Sequence, residues 1–164
     1  MQRISNNKGP IGAYRWAFLS AKRAISFEKN GPLLYNIYMA NNRGGAVLAV
    51  DDDRINLTVL YRILSPEYTL LTAKSGEEAI KRARAGSPGL ILLDVVMPDM
   101  SGFDVLRELR GLPETRDIPV VFITSLDSIE YETKGLQLGA AEYIKKPFSA
   151  QQVLNCVKAH IKDH

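Results

Sequence analysis

The stretch "AVLAVDDDRINLTVLYRIL", residues 46–64, changes character twice. Its first part, "AVLAV" (46–50), is a short continuous apolar run, as expected of a strand buried on both faces of a sheet. The run stops at three consecutive aspartates, Asp51, Asp52 and Asp53. The next segment, "RINLTVLYRIL", places Ile55, Val59 and Ile63 four apart on one helical face. Ser65-Pro66 ends that helix, because the residue before a proline avoids the helical region. Like charges side by side at the end of a buried strand repel one another, so this strand–helix unit needs something to balance its acids.

The same grammar repeats along the chain. "YTLLTA" (68–73), "LILLD" (90–94), "IPVVFITS" (118–125) and "AEYIKK" (141–146) read as four more strands. Each is followed by a helical pattern: "SGEEAIKRARAG", "GFDVLRELRG", "DSIEYETKGLQLG" and "SAQQVLNCVKAHIK". Ser75 with Glu78, and Ser149 with Gln152, form capping boxes. Gly86 and Gly139 read as helix stops. Five such units predict an α/β fold, a doubly wound five-stranded parallel sheet with helices on both faces. In sheets of this kind ligands bind beyond the carboxyl ends of the strands. That rule gathers the polar residues onto one rim: Asp51 and Asp52 from the first strand, Asp94 from the third, Thr124 and Ser125 from the fourth, Lys146 from the fifth.

Composition narrows the chemistry. With 46% hydrophobic and 24% charged residues among 164, the chain is of the globular class. No apolar run approaches the roughly 18 residues needed to span a bilayer. Cys156 is the single cysteine, and the two histidines, His160 and His164, fall in the last five residues, where a solvated tail is expected. An internal disulfide is excluded, and a Cys/His nucleophile or a zinc site is not expected. Charge is unevenly spread. Residues 1–45 carry seven basic residues against Glu28, a net of +6, and the remainder carries 14 basic against 17 acidic, a net of −3. The overall pI therefore gives no reason to expect direct nucleic-acid binding by the folded part.

Three carboxylates and one ammonium on a rim point to a divalent cation. Mg²⁺ favours one or two carboxylates, retained waters and a phosphate oxygen. Asp94, the middle carboxylate, can then act as a nucleophile toward phosphorus. The charge on the transferred group would be shared among the cation, Lys146, and the Thr124 hydroxyl with backbone N–H groups. Two other classes fit poorly. An aspartate-nucleophile phosphatase of the haloacid-dehalogenase type needs a second acid two residues after the nucleophile, where this chain has Val96. A flavodoxin-like nucleotide binder needs a Gly/Ser/Thr-rich loop after the first strand, where this chain has three aspartates.

Residues 46–162 resemble the receiver domain of bacterial response regulators, the phosphorylatable half of two-component systems. The resemblance is carried by "VLAVDDD", "LILLDVVMPDMSGFDVL", "VVFITS" and "YIKKPF", with separations of 42 residues from Asp52 to Asp94, 30 to Thr124 and 22 to Lys146. It implies a flavodoxin-like strand order of 2-1-3-4-5. It also implies that Asp94 accepts a phosphoryl group from a sensor histidine kinase or phosphotransfer protein. Mg²⁺ (or Mn²⁺) would be held by Asp51, Asp52, Asp94 and the backbone carbonyl of Val96. Thr124 and Tyr143 resemble the switch pair, Lys146 the phosphoryl-binding lysine, and Lys146–Pro147 the family's cis peptide. Val96 and Leu126 occupy positions that flank the path of hydrolytic water; both are apolar, so slow self-dephosphorylation is expected. The output face would comprise the helix within 127–139, the strand at 141–146 and the last helix, serving a homodimer or a downstream protein effector. A cytoplasmic location follows from the same resemblance. The alternatives are the receiver portion of a larger regulator, for example one with a cyclic-di-GMP output domain, and a binding module that works without phosphorylation.

Several nearby residues invite plainer readings. Asp53 is expected in the first turn of the helix after the triplet, facing its positive end. Asp99 reads as a turn residue after Pro98, Asp104 as a first-turn helix charge, Lys145 as solvated on the strand face opposite Lys146, and Ser125 as a small residue granting access to Asp94. Tyr143 can also be read as a packed edge-strand aromatic. Residues 1–45 match nothing in the family. They are expected to be a basic, poorly ordered extension with no membrane contact, and Met39 offers an alternative start.

Overall fold

The computed structural model describes residues 45–162; the expectations for the extension before Gly45 and for His164 lie outside the described residues. Strands β1 (Ala46–Val50), β2 (Thr69–Ala73), β3 (Leu90–Leu93), β4 (Val120–Thr124) and β5 (Glu142–Lys145) alternate with helices α1 (Arg54–Leu64), α2 (Gly76–Gly86), α3 (Gly102–Gly111), α4 (Ile129–Gln137) and α5 (Ala150–His160). All four pairings are parallel, in the order β2-β1-β3-β4-β5. This is the predicted topology, with strand ends trimmed by one or two residues.

Successive side chains of a strand point to opposite faces, and the apolar runs feed two cores accordingly. Leu48, Val50, Ile91, Leu93, Val120 and Phe122 join Ala79 and Ala83 of α2 and Phe103, Leu106 and Leu109 of α3. Val47, Ala49, Leu90, Leu92, Val121, Ile123 and Ile144 join α1 and α5 on the other side. The sheet is covered on both faces, which is why its strands read as unbroken apolar runs rather than alternating ones.

Each described helix begins on a side-chain cap: Asp53, Ser75, Ser101, Ser128 and Ser149 accept the backbone N–H of Ile55, Glu78, Asp104, Tyr131 and Gln152. A cap of this kind contributes about 1 kcal/mol. Asp53 is thus the N-cap of α1 rather than a residue of its first turn. The Ser75 cap has a variation, since Glu78 Oε2 takes the N–H of Lys74 at 2.9 Å.

Two helix readings need correction. Ile55 is 71% exposed and Val59 40% exposed, while Leu57, Leu60 and Leu64 are buried. Apolar residues nearly encircle α1, so two stripes compete, and the leucine stripe at spacings of three and four meets the sheet. At the end of α2, Gly86 stays helical and Ser87 takes the left-handed conformation (φ 38°). Pro88, which cannot continue the helix, comes directly after it.

The pairing register builds the rim. Val50 is level with Leu93, so Asp51 and Asp94 leave the sheet side by side, and the N–H of Asp94 donates to the Val50 carbonyl at 2.9 Å. Thr124 is level with Lys145, and the N–H of Lys146 donates to the Thr124 carbonyl at 2.8 Å. Gly102 opens α3 directly against this chain segment: a Cβ there would lie 2.3 Å from the Asp94 carbonyl oxygen and 2.8 Å from Val95 Cα. Both obstacles are backbone. Gly102→Ala is therefore expected to cost about 1–3 kcal/mol or more in urea denaturation. Gly111→Ala, with nothing within 4 Å of the added carbon, is expected to be neutral or to stabilise by about 0.4–1 kcal/mol. Equal effects at the two positions would contradict the close approach at Asp94.

Candidate functional site

Asp51 leaves β1 buried, with both carboxylate oxygens engaged. Oδ1 accepts the N–H of Asp53 at 2.9 Å and Asn56 Nδ2 at 3.1 Å, and Oδ2 accepts Lys146 Nζ at 2.7 Å. Asp94 leaves β3 buried. Its Oδ1 accepts the N–H of Val96 at 3.1 Å and its Oδ2 accepts Lys146 Nζ at 2.6 Å. Asp52 is exposed, yet a carboxylate oxygen from each of Asp51, Asp52 and Asp94 lies within 4.8 Å of the others. The four groups the sequence gathered from three strand ends, Asp51, Asp52, Asp94 and Lys146, meet in one place.

The remaining rim residues sit one step away. Thr124 is fully buried, and its Oγ1 accepts the N–H of Leu126 at 3.4 Å. Tyr143 is half-buried; its hydroxyl donates to the Leu126 carbonyl at 2.9 Å, and its ring meets Phe122 edge-on at 6.2 Å. Leu126 is therefore gripped from both sides. Val96 is 52% exposed. Ser125 is exposed. The Lys146–Pro147 peptide is cis. Lys145 points away and pairs with Asp127. Asp104 holds the first turn of α3 with Ser101 and Arg107, and Asp99 Oδ2 accepts the N–H of Gly76 at 2.8 Å, tying the loop after β3 to the start of α2.

The charge balance decides what the rim can hold. Burial works to lower the pKa of Lys146, but the hydrogen bonds and charges of Asp51 and Asp94 outweigh it and raise the value above 10.5. One ammonium answers three carboxylates, leaving about two negative charges if all are ionised. An all-oxygen donor set with one exposed member, able to leave water in place, suits a hard divalent cation such as Mg²⁺ and not a soft metal. For Tyr143, burial comes first and the charges of Glu132, Asp94 and Asp127 next; all raise its pKa, so the hydroxyl stays a proton donor.

Comparison with known proteins supplies the family of the chain. The family model of the response regulator receiver domain matches residues 47–158. The chain belongs to the response regulator receiver domain family. The response regulator PleD of Caulobacter vibrioides is 44% identical over 102 residues, covering 62% of this chain and 22% of that protein. A Vibrio cholerae protein named "Probable cyclic di-GMP phosphodiesterase" is 32% identical over 141 residues, covering 86% of this chain and 32% of that protein. The chain thus spans a minor part of the length of both relatives. Among solved structures, the Vibrio cholerae chemotaxis protein CheY4 superposes with a TM-score of 0.67 at 29% identity, covering 71% of this chain and 98% of that one. Receiver domains are regulatory modules of two-component systems that hold Mg²⁺ in an acidic pocket, and this chain carries a cluster of three acids, Asp51, Asp52 and Asp94, on its rim. Among the described residues no helix is long and apolar enough to cross a membrane.

Two features escaped the sequence. Asn56, in the first turn of α1, supplies the second donor to Asp51 Oδ1; an amide five residues after an acid carries no signal of its own. His160 is not a tail residue: it is the last residue of α5, partly buried, with Nε2 2.8 Å from Glu142 Oε2. Cys156 joins the same pair, so the chain's one cysteine and one of its two histidines come together against expectation. Burial first, then the hydrogen bond to Glu142 and its charge, push the Cys156 thiol up to about 12.

Lys146→Met keeps the length of the stem and removes the charge, so Asp51 and Asp94 face each other uncompensated. Without divalent cation near neutral pH this variant is expected to lose about 3–5 kcal/mol in urea denaturation. Added Mg²⁺ should recover part of the loss. Because the folded pKa of Lys146 is raised, its contribution is complete below about 10.5 and fades only as pH rises through the folded value. Variant and wild type should therefore converge only in strong alkali. A loss that Mg²⁺ leaves untouched would contradict the charge balance.

Proposed function

We propose that this chain is a phosphorylation-controlled signalling switch, taking a phosphoryl group on Asp94 from a sensor histidine kinase or phosphotransfer protein. The observation that carries the reading is Asp94 itself. It is a buried strand-end carboxylate fixed by Lys146 at 2.6 Å, on the same rim as two further acids. An oxygen of Asp94 would bond to phosphorus as the bond from phosphorus to the donor nitrogen breaks. The leaving imidazole carries away its electron pair and takes a proton. Lys146 offsets charge on the transferred group, and the Thr124 hydroxyl, released from Leu126, donates to a phosphoryl oxygen. Asp51, Asp52, Asp94 and the Val96 carbonyl would hold Mg²⁺ (or Mn²⁺), which when bound supplies charge neutralisation at the phosphoryl oxygens.

The output is a population shift. Turning Thr124 inward removes one of the two contacts that hold Leu126 and frees Tyr143 to follow, reshaping the face of α4, β5 and α5 for a protein effector or a second copy of the chain. Val96 and Leu126 offer no side-chain hydrogen bond to orient a hydrolytic water, which supports a long-lived phosphorylated state. The small share of each curated relative that the chain covers supports a second reading, the receiver portion of a larger regulator, in which this switch governs an output such as cyclic-di-GMP turnover.

Incubation with acetyl phosphate and Mg²⁺, followed by intact mass measurement, tests the central assignment. Wild type should gain one phosphoryl group and Asp94→Asn none; a gain in both, or in neither, would sink it. The double variant Val96→Asn, Leu126→Glu should lose its phosphoryl group at least about tenfold faster than wild type, as expected when polar groups orient the water. An unchanged decay would count against the lifetime argument.

A further inference from the structure

The end of the sheet opposite the acidic rim carries a second cluster of chemically active side chains. Glu142 is the first residue of β5, and it shares a strand face with Ile144, which packs into the core beneath α5. Cys156 and His160 stand four apart on α5 and so project from one side of that helix. The carboxylate, thiol and imidazole each offer a ligand atom within 4.8 Å of the other two, and the imidazole Nε2 is 2.8 Å from Glu142 Oε2. Cys156 is 4% exposed, whereas the side chains of His160 and Glu142 are 29% and 42% exposed. The thiol forms the floor and the other two the solvent-side walls.

We propose that Glu142, Cys156 and His160 form a three-ligand site for a borderline-soft divalent metal ion of the Zn²⁺ type, with water in the fourth position. One sulfur, one nitrogen and one oxygen donor make a set that zinc accepts and Mg²⁺ or Ca²⁺ does not. Metal–ligand bonds of roughly 2.0–2.3 Å in a tetrahedron put the donor atoms about 3.3–3.8 Å apart. The imidazole and carboxylate need to separate by roughly half an ångström, and the thiol to close by up to about 1.3 Å. Rotation of the two outer side chains, which reach solvent, accommodates both. On binding, the S–H bond of Cys156 breaks, its proton passes to solvent, and a sulfur–metal bond forms. His160 binds as neutral imidazole. Thiolate and carboxylate then balance the two charges of the ion. The site would clasp the start of β5 to the end of α5, far from the acidic pocket, and it is independent of the phosphorylation reading.

Cys156 is the only thiol in the chain, so thiolate-to-cobalt absorption reports this site alone. The tag-free full chain, stripped of metal and held in excess Mg²⁺ to cover the aspartates, is titrated with Co²⁺ and then Zn²⁺. The wild type should develop near-ultraviolet charge-transfer absorption saturating at one Co²⁺ per chain and collapsing on addition of Zn²⁺. Cys156→Ser should lack it. His160→Gln and Glu142→Gln, both at partly exposed positions, should bind roughly tenfold or more weakly, with circular dichroism confirming that they are folded. Absence of the band in wild type would overturn the proposal. So would a band that His160→Gln and Glu142→Gln leave unchanged, because the ion would then sit on the thiol without its two partners.

Discussion

The ammonium of Lys146 reaches Asp51 at 2.7 Å and Asp94 at 2.6 Å, although the strand it extends is adjacent to neither β1 nor β3. β4 lies between, so Lys146 must cross the end of β4 to reach Asp94, from a strand roughly 10 Å away. That crossing constrains everything around it. The end of β4 must be small and polar, and Thr124 and Ser125 stand there. The lysine must leave β5 in step with Thr124, and the pairing of Thr124 with Lys145 sets that step. Asp51 and Asp94 must emerge side by side, which the pairing of Val50 with Leu93 enforces. One long side chain thus ties the ends of three strands. Breaking such a pair from one side costs more than forming it contributes, since the remaining charges stay buried and uncompensated.

The loop after β4 carries the coupling from this knot to the surface. Leu126 gives its N–H to Thr124 and its carbonyl to Tyr143. The first of these contacts is long at 3.4 Å, at the weak end of hydrogen-bond geometry, and the second is short at 2.9 Å. Under the proposed function the weak contact is the one given up when the Thr124 side chain turns to donate its hydroxyl to a phosphoryl oxygen, so a modest attraction at Asp94 suffices to turn it. The tyrosine contact is the one the output face then rearranges. A raised Tyr143 pKa keeps the donor protonated throughout the physiological range.

How much of this was legible in the sequence depends on whether the signal is local. The strands are unbroken apolar runs because the sheet is covered on both faces, and each functional strand stops on a polar residue, so the topology and the rim could be read directly. The face of α1 could not. Ile55, Val59 and Ile63 make as good a stripe as Leu57, Leu60 and Leu64, and only the seating of the helix on the sheet chooses between them. Ser87 took the left-handed position expected one residue earlier because the choice between neighbours rests on how Pro88 enters β3. Asn56 was invisible because an amide near an acid is common in any first turn. The grouping of Glu142 with Cys156 and His160 was hidden for a stronger reason. Fourteen residues separate the first two, and no local rule states which turn of the last helix lies over which residue of the last strand.

That registration also explains why β5 is built as it is. β5 is an edge strand, and an exposed edge invites pairing with another chain unless charge or brevity prevents it. β5 is four residues long. Its Glu142 faces α5 and is held by His160; its Lys145 faces the α4 side and is held by Asp127. Ile144 alone is fully buried, and Tyr143 is half-buried, its ring edge-on to Phe122 and its hydroxyl on the Leu126 carbonyl. A strand so short and so charged has little apolar area to hold it in place. The ladder with β4 sets its backbone, and side-chain contacts at its ends add to that hold: the His160–Glu142 pair at one and the Lys146 bridge at the other. A change in charge at either end therefore bears on the whole strand, and on the surface that α4, β5 and α5 present together.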